Sequence, residues 1–566
     1  MGHDHSHDHV DAEAAVPPAL DLSVPDEALS PGDQSRRSFL RRAGVLGIAA
    51  AATSMLGTTG QAAAEPGDPG QILGRLPKGG FQWLAGDHHI HTQYSPDAQY
   101  RVIDQVRHAH AYGLDWMVIT DHGSAQHAKI GVDKVNPDIV AARAAIPDTL
   151  VFQGLEWNIP AAEHGTVFVH PGNNEVAVLK EFENAYDGVV TNTGASTAAN
   201  EALAVAGITF LANAVTARRV ADALMLANHP ARKGIDSPHE IRAWRDANPR
   251  IAIGMEGAPG HQAAGIPTPG GLGSGRGFYD NSPTAESFPG YPLESYRTFG
   301  GFDWMTATVG GLWDSLLAEG KPWWITANSD SHMVYGDTST RGPGSDFTNN
   351  GFFNDPVHGG PANLKNGDFW PGFYSRTNVG AISDSYAAVM DGLRAGRVWV
   401  DHGQLISSLN VQVHSDPLGL GLPLPGTPLG GVLTVRRGTP TRLTIDIDLA
   451  NGPNWAQFQP TLARVDVIVG QVTGPASDRN TFSAPTAKVV KSFDVGRNSG
   501  SVSFTYPLST DRPFYVRIRG TDGNRSAPGL NGAAVDPAGP AMDVLGDADP
   551  WKDLWFYSNP IFVLVR

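Results

Sequence analysis

Asp87-His88-His89-Ile90-His91-Thr92, followed shortly by Ser95-Pro96-Asp97-Ala98, concentrates histidine and aspartate in one short stretch of the chain. Read as a strand, it sets His89 and His91 on one face and turns Ile90 to the other, because side chains two apart point the same way. Two imidazoles on one face can grip a single metal ion. A lone His-x-His is also a common surface coincidence, so its weight depends on whether matching ligands arrive from other segments.

Working outward, residues 81 to 402 alternate short β-rich runs with helical stretches, which predicts an α/β domain with parallel strands. The runs include Trp116 to Thr120, Thr149 to Phe152, Leu224 to Ala227, Ile251 to Ile253 and Trp323 to Ala327. In parallel β/α barrels chemistry collects at the C-terminal ends of strands. At those ends stand Asp121-His122-Gly123, Gly154-Leu155-Glu156 with Glu163-His164-Gly165 soon after, Asn228-His229-Pro230, Gly254-Met255-Glu256, and Asn328 through His332. A loop histidine is ordinarily solvated and a strand-end aspartate ordinarily caps a helix. Agreement of successive strand ends on metal-type ligands points instead to a shared metal pocket.

These motifs resemble the PHP (polymerase and histidinol phosphatase) superfamily of metal-dependent hydrolases, over residues 84 to 402. The resemblance implies a distorted β/α barrel of about seven strands holding two or three divalent ions. It makes His89, His91, Asp97, His122, Glu156, His164, His229, Asp330 and His332 the ligands. His170, in Val169-His170-Pro171, competes with His164 for its place. Further on, Ser385-Tyr386 to Val400 and Trp555 to Val563 are similar to the exported, carbaryl-hydrolase-like branch, whose members include esterases and carbamate hydrolases as well as phosphoesterases.

Divalent ions held by imidazoles and carboxylates bring the pKa of water down to about 7, and ions about 3.5 to 4 Å apart hold both oxygens of a displacement. Glu156 is the best candidate to bridge them. Asp121, beside His122, has two equal roles open to it: orienting a ligand or shuttling a proton, or capping the next helix. Arg232 is placed to meet a substrate anion bidentately, against the plainer reading of a surface arginine. His261 opens a Gly/Pro-rich insertion reaching Gly301 and is a candidate acid for the leaving group. That insertion and residues 338 to 374 are the expected substrate-shaping loops. His108 and His110 sit in a helical pattern that turns them to different faces, so they do not chelate together.

The chain has 566 residues, 41% hydrophobic and 17% charged, enough for more than one domain. A net charge of -16 excludes a basic nucleic-acid surface, and the absence of cysteine leaves only His, Asp and Glu as strong ligands, suiting Zn, Mn or Fe. Residues 1 to 64 combine a His-rich tail (His3, His5, His7, His9), the run Ser35-Arg36-Arg37-Ser38-Phe39-Leu40, an apolar stretch to Leu56 and Ala62-Ala63-Ala64. This is the layout of a twin-arginine export signal, predicting passage through that export machinery to an extracytoplasmic site, with an uncleaved anchor as the alternative and no stable membrane span otherwise. Residues 65 to 83 read as a linker. From Gly403 the pattern changes to period two with Gly, Pro and Asn turns, predicting an antiparallel β-sandwich over residues 403 to 566, with Trp551 to Tyr557 packing back on the first domain. The whole predicts an exported hydrolase acting on a small, anionic ester, a phosphoester first. A carboxyl ester or carbamate is the second substrate class, and a non-catalytic metal-containing binding protein the third reading.

Overall fold

The computed structural model describes residues 81–269, 273–419, 424–524 and 549–566, preceded only by Pro25 and Ala28. The expected signal region, its His-rich tail and nearly all of the expected linker lie outside the described residues. Residues 82–566 form one unit.

The barrel strands are β1 (Gln82–Asp87), β2 (Trp116–Ile119), β3 (Leu150–Asn158), β4 (His164–Val169), β5 (Ala223–Ala227) and β6 (Ala252–Ala258), then, after the short hairpin β7 (Thr298–Phe299) and β8 (Phe302–Asp303), β9 (Trp324–Ala327), β10 (Ser375–Ala381) and β11 (Val398–His402). They lie in the order β11-β10-β1-β2-β3-β4-β5-β6-β9. β1/β2, β2/β3, β5/β6 and β6/β9 are parallel. β4 runs antiparallel to both its neighbours, and β10 is antiparallel to β1 and β11. Every residue of β2, β5 and β9 is buried, as expected of strands covered on both faces, which is why they read as unbroken apolar runs.

The last seam, β9 against β10, is sealed by side chains. Thr377 Oγ1 accepts the Ala327 N–H at 2.8 Å and donates to the Ala327 carbonyl at 2.6 Å. Asn559 Oδ1 accepts the Ile325 N–H at 2.9 Å, and its Nδ2 donates to the Ile325 carbonyl at 3.3 Å. This makes the barrel a distorted one.

The opening histidine stretch is not itself a strand. β1 stops at Asp87, whose carboxylate takes the N–H groups of His89 (3.0 Å) and Ser329 (2.9 Å) and so ends the ladder. Ile90 then makes an isolated bridge to Ser331, with His91 N–H donating to the Ser331 carbonyl at 3.1 Å. The alternation of side chains survives, so His89 and His91 still point the same way.

Helices Val102–Ala111, Val132–Ala145, Glu175–Tyr186, Ala198–Thr216 and Pro238–Ala247 link the strands. Ser237 starts the last with a capping box to Glu240 and proline at its first position. Ala198–Thr216 is long and apolar enough to cross a membrane by length and composition. Its Ala204, Ile208, Leu211 and Ala214, spaced at helical intervals, pack into the barrel's core cluster.

Beyond the barrel lie β12 (Ile406–Ser415), β13 (Thr427–Pro428), β14 (Val432–Val435), β15 (Thr441–Leu449), β16 (Arg464–Gln471), β17 (Lys488–Asp494), β18 (Ser501–Leu508), β19 (Phe514–Thr521), β20 (Trp555–Ser558) and β21 (Ile561–Val565). One sheet, β13-β12-β15-β18, is antiparallel and shares an apolar cluster with the second, formed by β14, β21, β19, β20, β16 and β17. The second sheet departs from the antiparallel expectation at one place: β14 pairs parallel with β21, because the chain returns to it only after a long excursion, which parallel pairing requires. β20 pairs with β11, Trp399 opposite Ser558, so hydrogen bonding runs without a break from barrel to sandwich across the expected division at residue 402.

Candidate metal centre

Glu156 lies inside β3, not beyond its end, and its side chain is buried among four imidazoles. His122 Nδ1 lies 2.7 Å from Oε2, His164 Nδ1 2.9 Å, His89 Nε2 3.1 Å and His229 Nε2 3.2 Å from Oε1. Asp330, from the loop after β9, is the second focus. Its Oδ1 is 3.0 Å from His89 Nε2 and 3.1 Å from His91 Nε2, and the two nitrogens are 3.0 Å apart. His91, His122 and His332 form a third group, with Asp97 Oδ2 3.2 Å from His122 Nε2 and Oδ1 3.6 Å from His332 Nε2.

Acceptors beyond the cluster fix which nitrogen of each ring faces it. Glu256 accepts the His89 Nδ1–H at 2.7 Å. Ser95 Oγ gives its one proton to Asp121 at 2.7 Å, so at 3.0 Å it accepts from His91 Nδ1. The Asp330 carbonyl accepts His332 Nδ1–H at 2.8 Å. Each ring therefore presents Nε2 to the centre, as metal-ligating histidines do when the other nitrogen is held by an acceptor. Asp330 Oδ1 and Glu156 Oε2 are buried without an ordinary hydrogen bond, and what faces them is imidazole nitrogen. Buried polar atoms need partners, and a divalent cation satisfies this donor set. The residues present fit such ions.

The electrostatics call for positive charge at the same point. Burial opposes protonation of His89, but Asp330, Glu156 and Glu256 outweigh it and hold its pKa well above the ordinary value. Burial raises Asp330 and Glu156, and the surrounding imidazoles pull both well below the usual carboxylate range. Burial and the Arg232 guanidinium push His229 down to about 3.

Three polar residues that follow barrel strands have left-handed backbones without being glycine: His229 (φ 31°), His261 (φ 53°) and Asp330 (φ 47°). They follow β5, β6 and β9, where the chain turns sharply to bring a side chain back over the barrel mouth. Such strain is tolerated where surrounding contacts over-determine it.

The metal-type side chains border a cavity of about 370 Å³ lined by Asp97, His122, Glu156, His164, His229, Arg232, His261, Phe278, Asp330, His332, Met333 and residues 365 to 368. Both expected substrate-shaping loops supply walls, the first through His261 and Phe278, the second through Lys365 to Asp368. Arg232 lines the cavity with Nη2 3.6 Å from Glu163 Oε2. His170 sits apart, its Nδ1 2.9 Å from the Pro171 carbonyl, so His164 is the histidine of that pair at the cluster. Asp121 does not line the cavity and no cap is formed by it. It accepts from Thr92 N–H (2.7 Å), Thr92 Oγ1 (2.7 Å) and Ser95 Oγ, and acts on His91 through that serine. His88 is structural, between Thr326 Oγ1 (2.8 Å) and Thr166 Oγ1 (3.2 Å).

Three contributors were not assigned from the sequence. Glu256 stood at a recognised strand end, and a bulge between β6 and β9 beside it turns its carboxylate to both His89 and the His229 N–H (2.7 Å). Glu163 was quoted only as a neighbour of His164. Asp368 lies in irregular chain with no pattern to mark it, yet it accepts from His261 Nδ1 (2.5 Å), His332 N–H (2.6 Å) and Met333 N–H (2.8 Å).

Residues 87–195 match the PHP domain, and the matched stretch includes the opening histidines, His122, Glu156 and His164. No curated protein matches the sequence. Among solved structures, a two-domain protein from Bacteroides vulgatus containing a predicted PHP-like metal-dependent phosphoesterase is 14% identical, covers 85% of this chain and 99% of its own, and has a TM-score of 0.30. A protein from Bifidobacterium adolescentis assigned as a metal-dependent phosphoesterase is 16% identical over 31% of this chain and 77% of its own, with a TM-score of 0.19.

Proposed function

We propose that this chain is a multinuclear metal-dependent hydrolase and that its substrate is a small phosphoester. The observation that carries it is Glu156, one buried carboxylate within 3.2 Å of four imidazoles, with Asp330 repeating the arrangement beside it. Such shared carboxylates suit adjacent divalent ions, which supply a water of near-neutral pKa and stabilise charge on the oxygens of a displacement. Glu256, Ser95 and the Asp330 carbonyl hold the ligand rings in one tautomer. Arg232 offers guanidinium N–H groups to a substrate anion at the cavity wall, and the exposed Lys365 on the facing loop adds a second cation. Phe278 and Met333 give the leaving group an apolar surface, which also suits the second reading, an aryl ester or carbamate.

Purified protein loaded with Mn2+ or Zn2+ and assayed on an aryl phosphomonoester, an aryl phosphodiester and an aryl acetate separates these. Turnover of a phosphoester supports the first reading, and turnover of the acetate alone rejects it. Binding without turnover of any ester leaves the metal-containing binding protein. Export through the twin-arginine machinery belongs to the same proposal, resting on Arg36-Arg37 and the apolar stretch after them. Replacing both arginines by lysine is expected to hold the protein in the cytoplasm.

A further inference from the structure

His261 repeats, on the far oxygen of Asp330, the arrangement that His89 and His91 make on the near one. Its Nδ1–H donates to Asp368 Oδ1 at 2.5 Å, and its Nε2 lies 2.8 Å from Asp330 Oδ2. The pattern matches His89, whose Nδ1 is held by Glu256 and whose Nε2 lies 3.0 Å from Asp330 Oδ1. An imidazole held between two buried carboxylates calls for positive charge between them, which a proton on Nε2 or a divalent cation at Nε2 supplies.

We infer that His261 is an additional ligand, closing a divalent-cation position with Asp330 and His332, and that Asp368 is the residue that positions it. The donor atoms of His261, Asp330 and His332 lie within 4.8 Å of one another. Asp368 touches both histidines of the trio, holding the His261 ring at Nδ1 and accepting the backbone N–H of His332 at 2.6 Å. Asp330, 2% exposed, has an Oδ1 with no hydrogen-bond partner. The chain is built to bring His261 here. His261 N–H donates to the Ser329 carbonyl at 3.2 Å, and a Cβ on Gly260 would come within 2.1 Å of Asp330 Cβ, so only glycine lets the two loops touch. The cation is one that takes nitrogen and oxygen ligands, of the Mn, Fe or Zn kind.

This deepens the metal-dependent reading of the site, but its test reads metal and not turnover, so the two fail separately. Mn2+ binding to the full chain is followed by electron paramagnetic resonance of the free ion, comparing the natural protein with His261→Ala, Asp368→Asn and, as a control on the exposed sandwich surface, Leu418→Ala. The His-rich tail contributes equally to all four and cancels in the comparison. His261→Ala is expected to weaken the most loosely held Mn2+ by more than about tenfold, Asp368→Asn to do so by about 10- to 100-fold, as loss of an orienting carboxylate does, and Leu418→Ala to leave the isotherm unchanged. Unchanged isotherms for both His261→Ala and Asp368→Asn overturn the inference. Lost turnover with an intact isotherm in His261→Ala overturns it too, making His261 a group that meets substrate. Asp368→Asn keeps the test open should His261→Ala fail to fold.

Discussion

Glu156 is the side chain on which most of the pocket converges, so replacing it tests the centre directly. Gln keeps its size but presents N–H groups to imidazole lone pairs and halves the available oxygen. Glu156→Gln is expected to lose at least one ion by elemental analysis and to lower turnover by about 10³-fold; full metal content would contradict the bridging role. Arg232 is expected to behave differently, because it lines the cavity paired with Glu163, at 3.6 Å, and not with Glu156 or Asp330. Arg232→Ala should raise KM for a phosphoester by about tenfold, about 1.4 kcal/mol, with metal content intact, and a change in kcat alone would speak against anion binding. At this scale most of the histidines and Asp330 were legible because they follow apolar runs, while His164, the first residue of β4, was contested with His170, and Asp368 was not legible, since its partners His261 and His332 are far from it in sequence and nothing local requires an aspartate there.

Among the elements, the seam between β9 and β10 is the unusual one. Parallel strands elsewhere close through ladders, while here Asn559 and Thr377 stand in for a missing strand partner. Asn559→Leu leaves the Ile325 N–H and C=O buried and unpaired, at about 1 to 3 kcal/mol each, and should lower the melting temperature by several degrees without removing metal. Calorimetry on metal-loaded protein checks this. Asp115, at the start of β2, gives a pH signature. Burial pushes its carboxyl up to about 6, only partly relieved by the Ala85 N–H at 2.8 Å. A raised carboxyl favours its neutral form in the fold, so its contribution is full below its ordinary value of 3.8 and is lost as pH rises through about 6. Asp115→Asn is therefore expected to stabilise at pH 7.5 relative to the natural protein and to gain little at pH 4; an equal difference at both pH values would refute the assignment. The strand periods that mark β2, β5, β9 and β15 were readable because burial on one or both faces writes itself into the residue pattern. The reversed direction of β4 was not, since direction depends on the neighbour a strand finds.

At the scale of the molecule, barrel and sandwich share a sheet and their buried ion pairs. Arg517 of β19 donates to both oxygens of Asp314, on the helix Leu312–Ala318, at 3.0 and 2.8 Å, with both side chains fully buried. Arg276, in the loop that carries Phe278, donates to Asp553 and Tyr374. Residues 82–402 expressed alone would expose the β11 edge and these unpaired charges, and are expected to be insoluble or unfolded; a folded, soluble fragment would show that the sandwich is dispensable. Chelation of metal from the full chain is expected to lower its melting temperature, because each ion bound at 100 times its Kd adds about 2.7 kcal/mol, and re-addition of Mn2+ should restore it.

By itself the sequence determined which residues are available to bind metal, their order along the chain, and the switch from barrel to sandwich, because ligand chemistry and burial period are local properties. Only the tertiary structure decided which nitrogen each ring presents, that Asp121 works through Ser95, that Glu256 and Asp368 hold His89 and His261, and that the barrel closes on Thr377 and Asn559. Those are contacts between distant segments, and a side chain's partner is chosen by what the fold places within hydrogen-bond reach.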